Sequence, residues 1–150
     1  EYLDMIKATK YGKYLNIDVI NDIIFISKNL DLISLNRLYN LTDCYVSPYR
    51  AEGFNLPPLE AAAVGTPIIV TKGGSTDDYF HPSLGLQIDS VQFEKNDSRK
   101  VEPKMGSLIE CIEKIILNPN NFGQIKGSQF IQNNYNWKII TNQLYKVFNE

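Results

Sequence analysis

Residues 51–70, AEGFNLPPLEAAAVGTPIIV, carry two glutamates, Glu52 and Glu60, eight positions apart around Gly53, Asn55 and the pair Pro57–Pro58. Proline suits the first turn of a helix because its missing N–H would have had no partner there. With both prolines in that turn, the main-chain N–H groups of Phe54, Asn55 and Leu56 stand free at the helix entrance, with the positive end of the helix dipole behind them. Such a cluster is a place for an anion, a phosphate above all. Gly53 gives the backbone a freedom that a side chain would block. Glu52 precedes this loop and Glu60 falls in the first turn or so of the helix, so the two carboxylates border one crevice on either side of the anion site. Carboxylates repel a phosphate, so their value lies in accepting hydrogen bonds from hydroxyls, as acidic residues do with ribose in dinucleotide sites. A sugar nucleotide supplies hydroxyls on both sides of its phosphates.

Each part of this constellation also has a plain structural use. A Glu near a helix N-terminus is favourable for the dipole alone. Ala61, Ala62 and Ala63 make a close-packed helix face, and Gly65 stops the helix before Pro67. The combination on one loop and one helix is what points to a ligand.

Other candidates are weaker. Arg50, two positions before Glu52, carries a positive charge near the anion site, for a phosphate or for a salt bridge to one of the two glutamates. Lys72 has a similar place after the next apolar run. In GGSTDD, 73–78, Ser75 and Asp78 read as an N-cap with an acidic partner. The adjacent aspartates resemble half of a D-x-D metal motif only loosely, and no metal is expected. His81, the only histidine, precedes Pro82 and reads as a surface residue.

The elements that must hold these residues follow from the alternation of short apolar runs with helical periodicity, which signals βα units around a parallel sheet. The runs are IIFIS (23–27), CYVSP (44–48), PIIVT (67–71) and GLQID (85–89). A crossover helix over 32–43 is expected from the spacing of Leu32, Leu35, Leu38 and Tyr39. Residues 90–104 are polar and read as a loop. Three helices follow, with Leu108, Ile112, Ile115 and Ile116 on one face of the first and Trp137, Ile140, Leu144, Val147 and Phe148 along the last. An amphipathic helix opens the chain with no strand before it, the pattern of a chain cut inside a domain. Glu52 then lies after a strand, at the carboxyl end of the sheet where open α/β folds bind ligands.

A chain of 150 residues, 43% hydrophobic and 21% charged, suits one domain burying roughly 70% of its unfolded surface. The net charge of −2 and the scattered Lys and Arg residues exclude a nucleic-acid footprint. Cys44 and Cys111 show no metal spacing and read as buried thiols. No apolar run approaches a membrane span, and a cytoplasmic location is expected.

The stretch SPYRAEGFNLPPLEAAAVGTPIIVTKGG resembles the E-x7-E segment of the family 4 retaining glycosyltransferases, written E-G-F-G-L-P-x-x-E-A-x-A-x-G-x-P-V-V. The likeness runs from IIFISKNLDLISLNRLYNLTDCYVSP through KVEPKMGSLIECIEKII, about two thirds of the chain. It implies a Rossmann-like parallel sheet flanked by helices, with residues 1–150 forming a single, truncated part of the C-terminal, donor-binding lobe of a GT-B fold. It also implies a retaining transferase that moves a sugar from a nucleotide-sugar donor to a glycan or other hydroxyl acceptor, with no metal or other cofactor. By the same resemblance Glu52 contacts the donor sugar and supports the reacting centre, and Glu60 binds the nucleotide ribose. The loop at Gly53, Phe54, Asn55 and Leu56 holds the sugar hydroxyls and the diphosphate. Asn55 stands where glycine is commoner, and Asn tolerates left-handed geometry better than most residues. The family's Arg and Lys that clamp the diphosphate lie upstream of this sequence, and its N-terminal, acceptor-binding lobe is absent. The last helix of the resembled fold crosses back towards that lobe. Two other readings stay open: a non-catalytic lobe that binds a nucleotide or glycan as an interaction module, and a phosphorylase or nucleotide-sugar epimerase on the same architecture.

Overall fold

The computed structural model describes residues 23, 24, 26, 29–94 and 97–149. The chain divides into two compact units, 1–31 and 32–150. The opening helix expected from the sequence lies outside the described residues. So does part of the run 23–27, whose described members Ile23, Ile24 and Ile26 stand in no regular element.

The second unit starts with helix α1 (Leu32–Leu41), followed by strand β1 (Tyr45–Ser47), helix α2 (Leu56–Ala63) and strand β2 (Ile68–Thr71). A 3-10 turn, Ser75–Asp78, leads to strand β3 (Gly85–Ile88). The three strands form one parallel sheet in the order β1-β2-β3, with Tyr45 opposite Ile68 and Ile68 opposite Gly85. Central β2 is wholly buried, because helices cover both faces. That is why it reads as an unbroken apolar run rather than an alternation. Ile68 and Val70 point into one layer with Ala61, Ala62, Tyr39, Leu84 and Ile131, and Ile69 points into the other with Ile88, Cys111 and Ile115. Gly85 is required by the sheet itself: a Cβ there would stand 1.8 Å from the Ile68 carbonyl oxygen.

Residues 90–104, expected to be a loop, instead contain an antiparallel hairpin of β4 (Ser90–Glu94) and β5 (Asp97–Pro103). Residues 90–94, SVQFE, do alternate polar with apolar side chains, the period of a half-buried strand. The polar, charged run DSRKVEP of β5, with Val101 alone apolar before Pro103, carries no such period, and the segment as a whole therefore reads as a loop. Helices α3 (Met105–Leu117), α4 (Gln124–Asn134) and α5 (Trp137–Asn149) complete the chain. The face α3 buries carries Cys111 and Ile115, with Leu108 beside them, whereas Ile112 and Ile116 border an open apolar hollow of about 330 Å³ with Cys44 and Asp43. The expected stripe is thus rotated by the cysteine, which packs here as a small apolar side chain. Burial pushes the Cys44 thiol up to about 12 and raises that of Cys111. Along α5 no residue is buried; Trp137 is 85% exposed and Phe148 78%. Its apolar stripe is uncovered by the described residues.

Candidate functional site

The site is built where β1 hands over to α2. The chain leaves β1 at Ser47, and Tyr49 turns inward, where its hydroxyl lies 3.2 Å from the Thr71 carbonyl and 2.8 Å from Thr76 Oγ1. The Thr76 N–H donates back to Tyr49 Oη at 3.1 Å. This buried network ties the loop after β1 to the loop after β2, both at the carboxyl edge of the sheet. Gly74 makes room for it, since a Cβ there would fall 2.6 Å from the Tyr49 hydroxyl. The expected capping box is not formed: Gly74 caps the 3-10 turn, Ser75 Oγ is buried without a partner, and Asp77 rather than Asp78 closes the loop by accepting the Gly73 N–H at 2.9 Å. Ser75 sits one position too far into the turn to cap it.

Past Tyr49 the loop is open to water. Glu52 is exposed and has no hydrogen bond or ion pair among the described residues. A Cβ built on Gly53 would meet nothing within 4 Å, and its φ lies outside the left-handed region. The freedom attributed to Gly53 is therefore not used by the backbone; what the glycine leaves is space over the loop. The left-handed residue is Asn55, at φ 62°. Its side-chain amide donates to Ser47 Oγ at 3.0 Å, and its carbonyl accepts the Tyr79 hydroxyl at 2.8 Å. Buried Tyr79 packs its ring 5.2 Å from Phe54, so core and loop are fixed together. Asn55 is the N-cap of α2 without a side-chain cap, and Pro57 and Pro58 occupy the first turn. The N–H groups of Phe54, Asn55 and Leu56 have no partner among the described residues. These are the free donors expected from the sequence.

Glu60 lies one turn into α2, exposed, and its Oε2 accepts the Tyr39 hydroxyl at 3.0 Å. It lines an open hollow of about 320 Å³ between α1 and α2 with Leu32, Leu35, Asn36 and Tyr39. The phenol of Tyr45 on β1 is raised above the ordinary tyrosine value by burial first, then by the negative charges of Glu60 and Glu52.

Arg50 goes elsewhere. Its guanidinium grips Glu102 on β5 through Nε to Oε2 at 2.5 Å and Nη2 to Oε1 at 2.8 Å, and its carbonyl accepts the Val101 N–H at 2.8 Å. Glu102 is held below the ordinary carboxylate value by that hydrogen bonding. The partner is thus neither Glu52 nor Glu60, and the hairpin rather than the anion site takes most of this charge. The Lys72 ammonium, by contrast, makes no hydrogen bond or ion pair among the described residues and stays exposed after β2. His81 is a surface residue: its ring stacks on Phe130 at 4.4 Å and its Nδ1 accepts the Ser83 N–H. Among the described residues no group of three His, Cys, Asp or Glu could hold a metal, and no helix is long and apolar enough to cross a membrane.

Sequence reasoning missed the tyrosines. Helical spacing places Tyr39 in the crossover helix with Leu32, Leu35 and Leu38 and says nothing of its hydroxyl, nor of those of Tyr45, Tyr49 and Tyr79. The signal was present, since a buried tyrosine hydroxyl needs a partner, but the partner is not readable from spacing.

The family described as "Glycosyl transferases group 1" matches residues 8–110. The chain is 30% identical over 116 residues to "Uncharacterized protein 356" of Sulfolobus islandicus rod-shaped virus 1, covering 74% of this chain and 32% of that protein. It is 33% identical over 96 residues to "Putative glycosyltransferase 63" of Sulfolobus islandicus filamentous virus (isolate Iceland/Hveragerdi), covering 61% and 33%. The chain thus spans about a third of the length of these relatives. Among solved structures it is similar to sucrose-phosphate synthase from Thermosynechococcus elongatus, with a TM-score of 0.68 and 22% identity over 93% of this chain and 32% of that one. That likeness concerns the fold: a parallel sheet flanked by helices, as in part of a GT-B glycosyltransferase.

Proposed function

The chain belongs to the group 1 glycosyl transferases, and from that premise we propose that it is part of the donor-binding, C-terminal lobe of a retaining transferase that uses a nucleotide sugar and needs no metal. The observation that carries this reading is the α2 entrance, where three N–H groups without a partner among the described residues lie, along the chain, between two exposed glutamates. The diphosphate sits on the N–H groups, aided by the helix dipole. Glu60 accepts from the ribose hydroxyls and Glu52 from the donor sugar. The bond from the anomeric carbon to the leaving phosphate oxygen breaks, and the acceptor hydroxyl adds on the same face and gives its proton to that oxygen. Catalysis is then positioning and stabilisation of developing charge.

Kinetics of the intact protein test the roles. Glu52→Gln should lower kcat by about a hundredfold with little change in donor KM, as for one lost transition-state contact. Glu60→Gln should raise donor KM by about tenfold with kcat nearly kept, as for one lost charge-assisted hydrogen bond. Both variants at wild-type values would sink the reading.

A further inference from the structure

Tyr39 and Glu60 come from different helices, 21 positions apart, and meet in one hydrogen bond of 3.0 Å. Tyr39 itself is rigidly held. It is only 7% exposed, and its carbonyl accepts three donors: Thr66 Oγ1 at 2.7 Å, Thr42 Oγ1 at 2.9 Å and the Thr42 N–H at 3.2 Å. Its ring meets Tyr45 edge-on at 5.9 Å. Glu60, in contrast, is exposed and long, and only its Oε2 has a partner.

We propose that Tyr39 is a positioning residue for the donor, its hydroxyl pinning Glu60 Oε2 so that Oε1 is presented to a ligand hydroxyl. The inference rests on the reading of Glu60 as the ribose acceptor. An unpinned glutamate samples many rotamers and loses that freedom when a ligand binds; a pinned one has lost it already. A carboxylate accepts at about four lone-pair sites, so one bond from Tyr39 leaves room for the diol of a ribose. Tyr39 acts only through Glu60, touches no reacting atom, and therefore affects donor binding rather than turnover.

The test uses the intact protein and the nucleotide sugar it turns over fastest in a panel. Tyr39→Phe keeps the ring and its packing and removes only the hydroxyl. It should raise donor KM about three- to tenfold with kcat within about twofold. In a Glu60→Ala background the same change should do nothing further. A 2′,3′-dideoxyribose analogue of the donor should bind the wild type and Tyr39→Phe equally. A Tyr39→Phe protein with unchanged donor KM beside a weakened Glu60→Ala, or one whose penalty persists fully in the Glu60→Ala background, would overturn the inference and leave the reading of Glu60 standing. A Glu60→Ala protein with unchanged donor KM would overturn both.

Discussion

At the scale of the residue, Asn55 shows how the loop is paid for locally. A left-handed backbone costs an ordinary residue about 1–2 kcal/mol, and asparagine less. Here the hydrogen bond that the Asn55 side-chain amide donates to Ser47 Oγ, and the one that the Tyr79 hydroxyl donates to the Asn55 carbonyl, fix the conformation. Asn55→Gly should therefore change stability by less than about 1 kcal/mol, whereas Asn55→Ala, with neither backbone tolerance nor the amide, should lose about 1–2 kcal/mol. Urea unfolding of the two variants checks this, and an alanine variant as stable as the glycine one would refute it. The tolerance was legible in the sequence, because asparagine stands where the resembled motif has glycine. The bonds that exploit it were not. Tyr79 lies 24 positions from Asn55, and Glu102 lies 52 from Arg50; separations of that size depend on topology, which local spacing does not encode. Gly53 differs for the opposite reason: a glycine suggests special backbone geometry, and here it leaves open space.

The strands of the parallel sheet were readable from their apolar runs, wholly buried in β2 and only partly buried in β1 and β3. Strands β1, β2 and β3 each fall within an apolar run bounded by turn residues, and α3 contains the expected Leu108, Ile112, Ile115 and Ile116. The hairpin of β4 and β5 was only half readable: SVQFE alternates as a strand does, but DSRKVEP gives no period, and pairing with β4 is what makes it a strand. The hairpin nonetheless bears on the site through Arg50. More important for the site is the contact between the loops after β1 and β2, which depends on the absence of a side chain at Gly74. Gly74→Ala would drive a methyl group into the Tyr49 hydroxyl and ring, at 2.6 and 2.8 Å. It should destabilise the protein by about 1–3 kcal/mol, as overpacking does. Thermal unfolding measures the loss; an unchanged midpoint would mean that the Tyr49 network is not what joins the two loops.

At the scale of the whole molecule, sequence and structure meet in the membership of the chain and in its limits. The motif was sufficient for the family because Glu52, the N–H cluster and Glu60 form one local unit. An acceptor site has no such local signature in this sequence, and the chain spans about a third of its relatives' length. The exposed apolar stripe of α5 is consistent with a surface made for company. Charge points the same way. A donor diphosphate carries about two negative charges, while a helix N-terminus supplies only about half a positive one. Glu52 and Glu60 add repulsion, and Arg50 is engaged with Glu102. The 150 residues by themselves should thus bind a nucleotide sugar at about millimolar strength or weaker. With the loop that carries Glu52 open to water, they should transfer nothing. The direct measurement is release of nucleoside diphosphate from a panel of nucleotide sugars, with binding followed by ligand-observed NMR, for this chain and for the intact protein. The account predicts donor-specific release by the intact protein and none by the chain. Robust release by the chain alone, or silence from the intact protein across the panel, would contradict it, the second outcome pointing instead to a binding module.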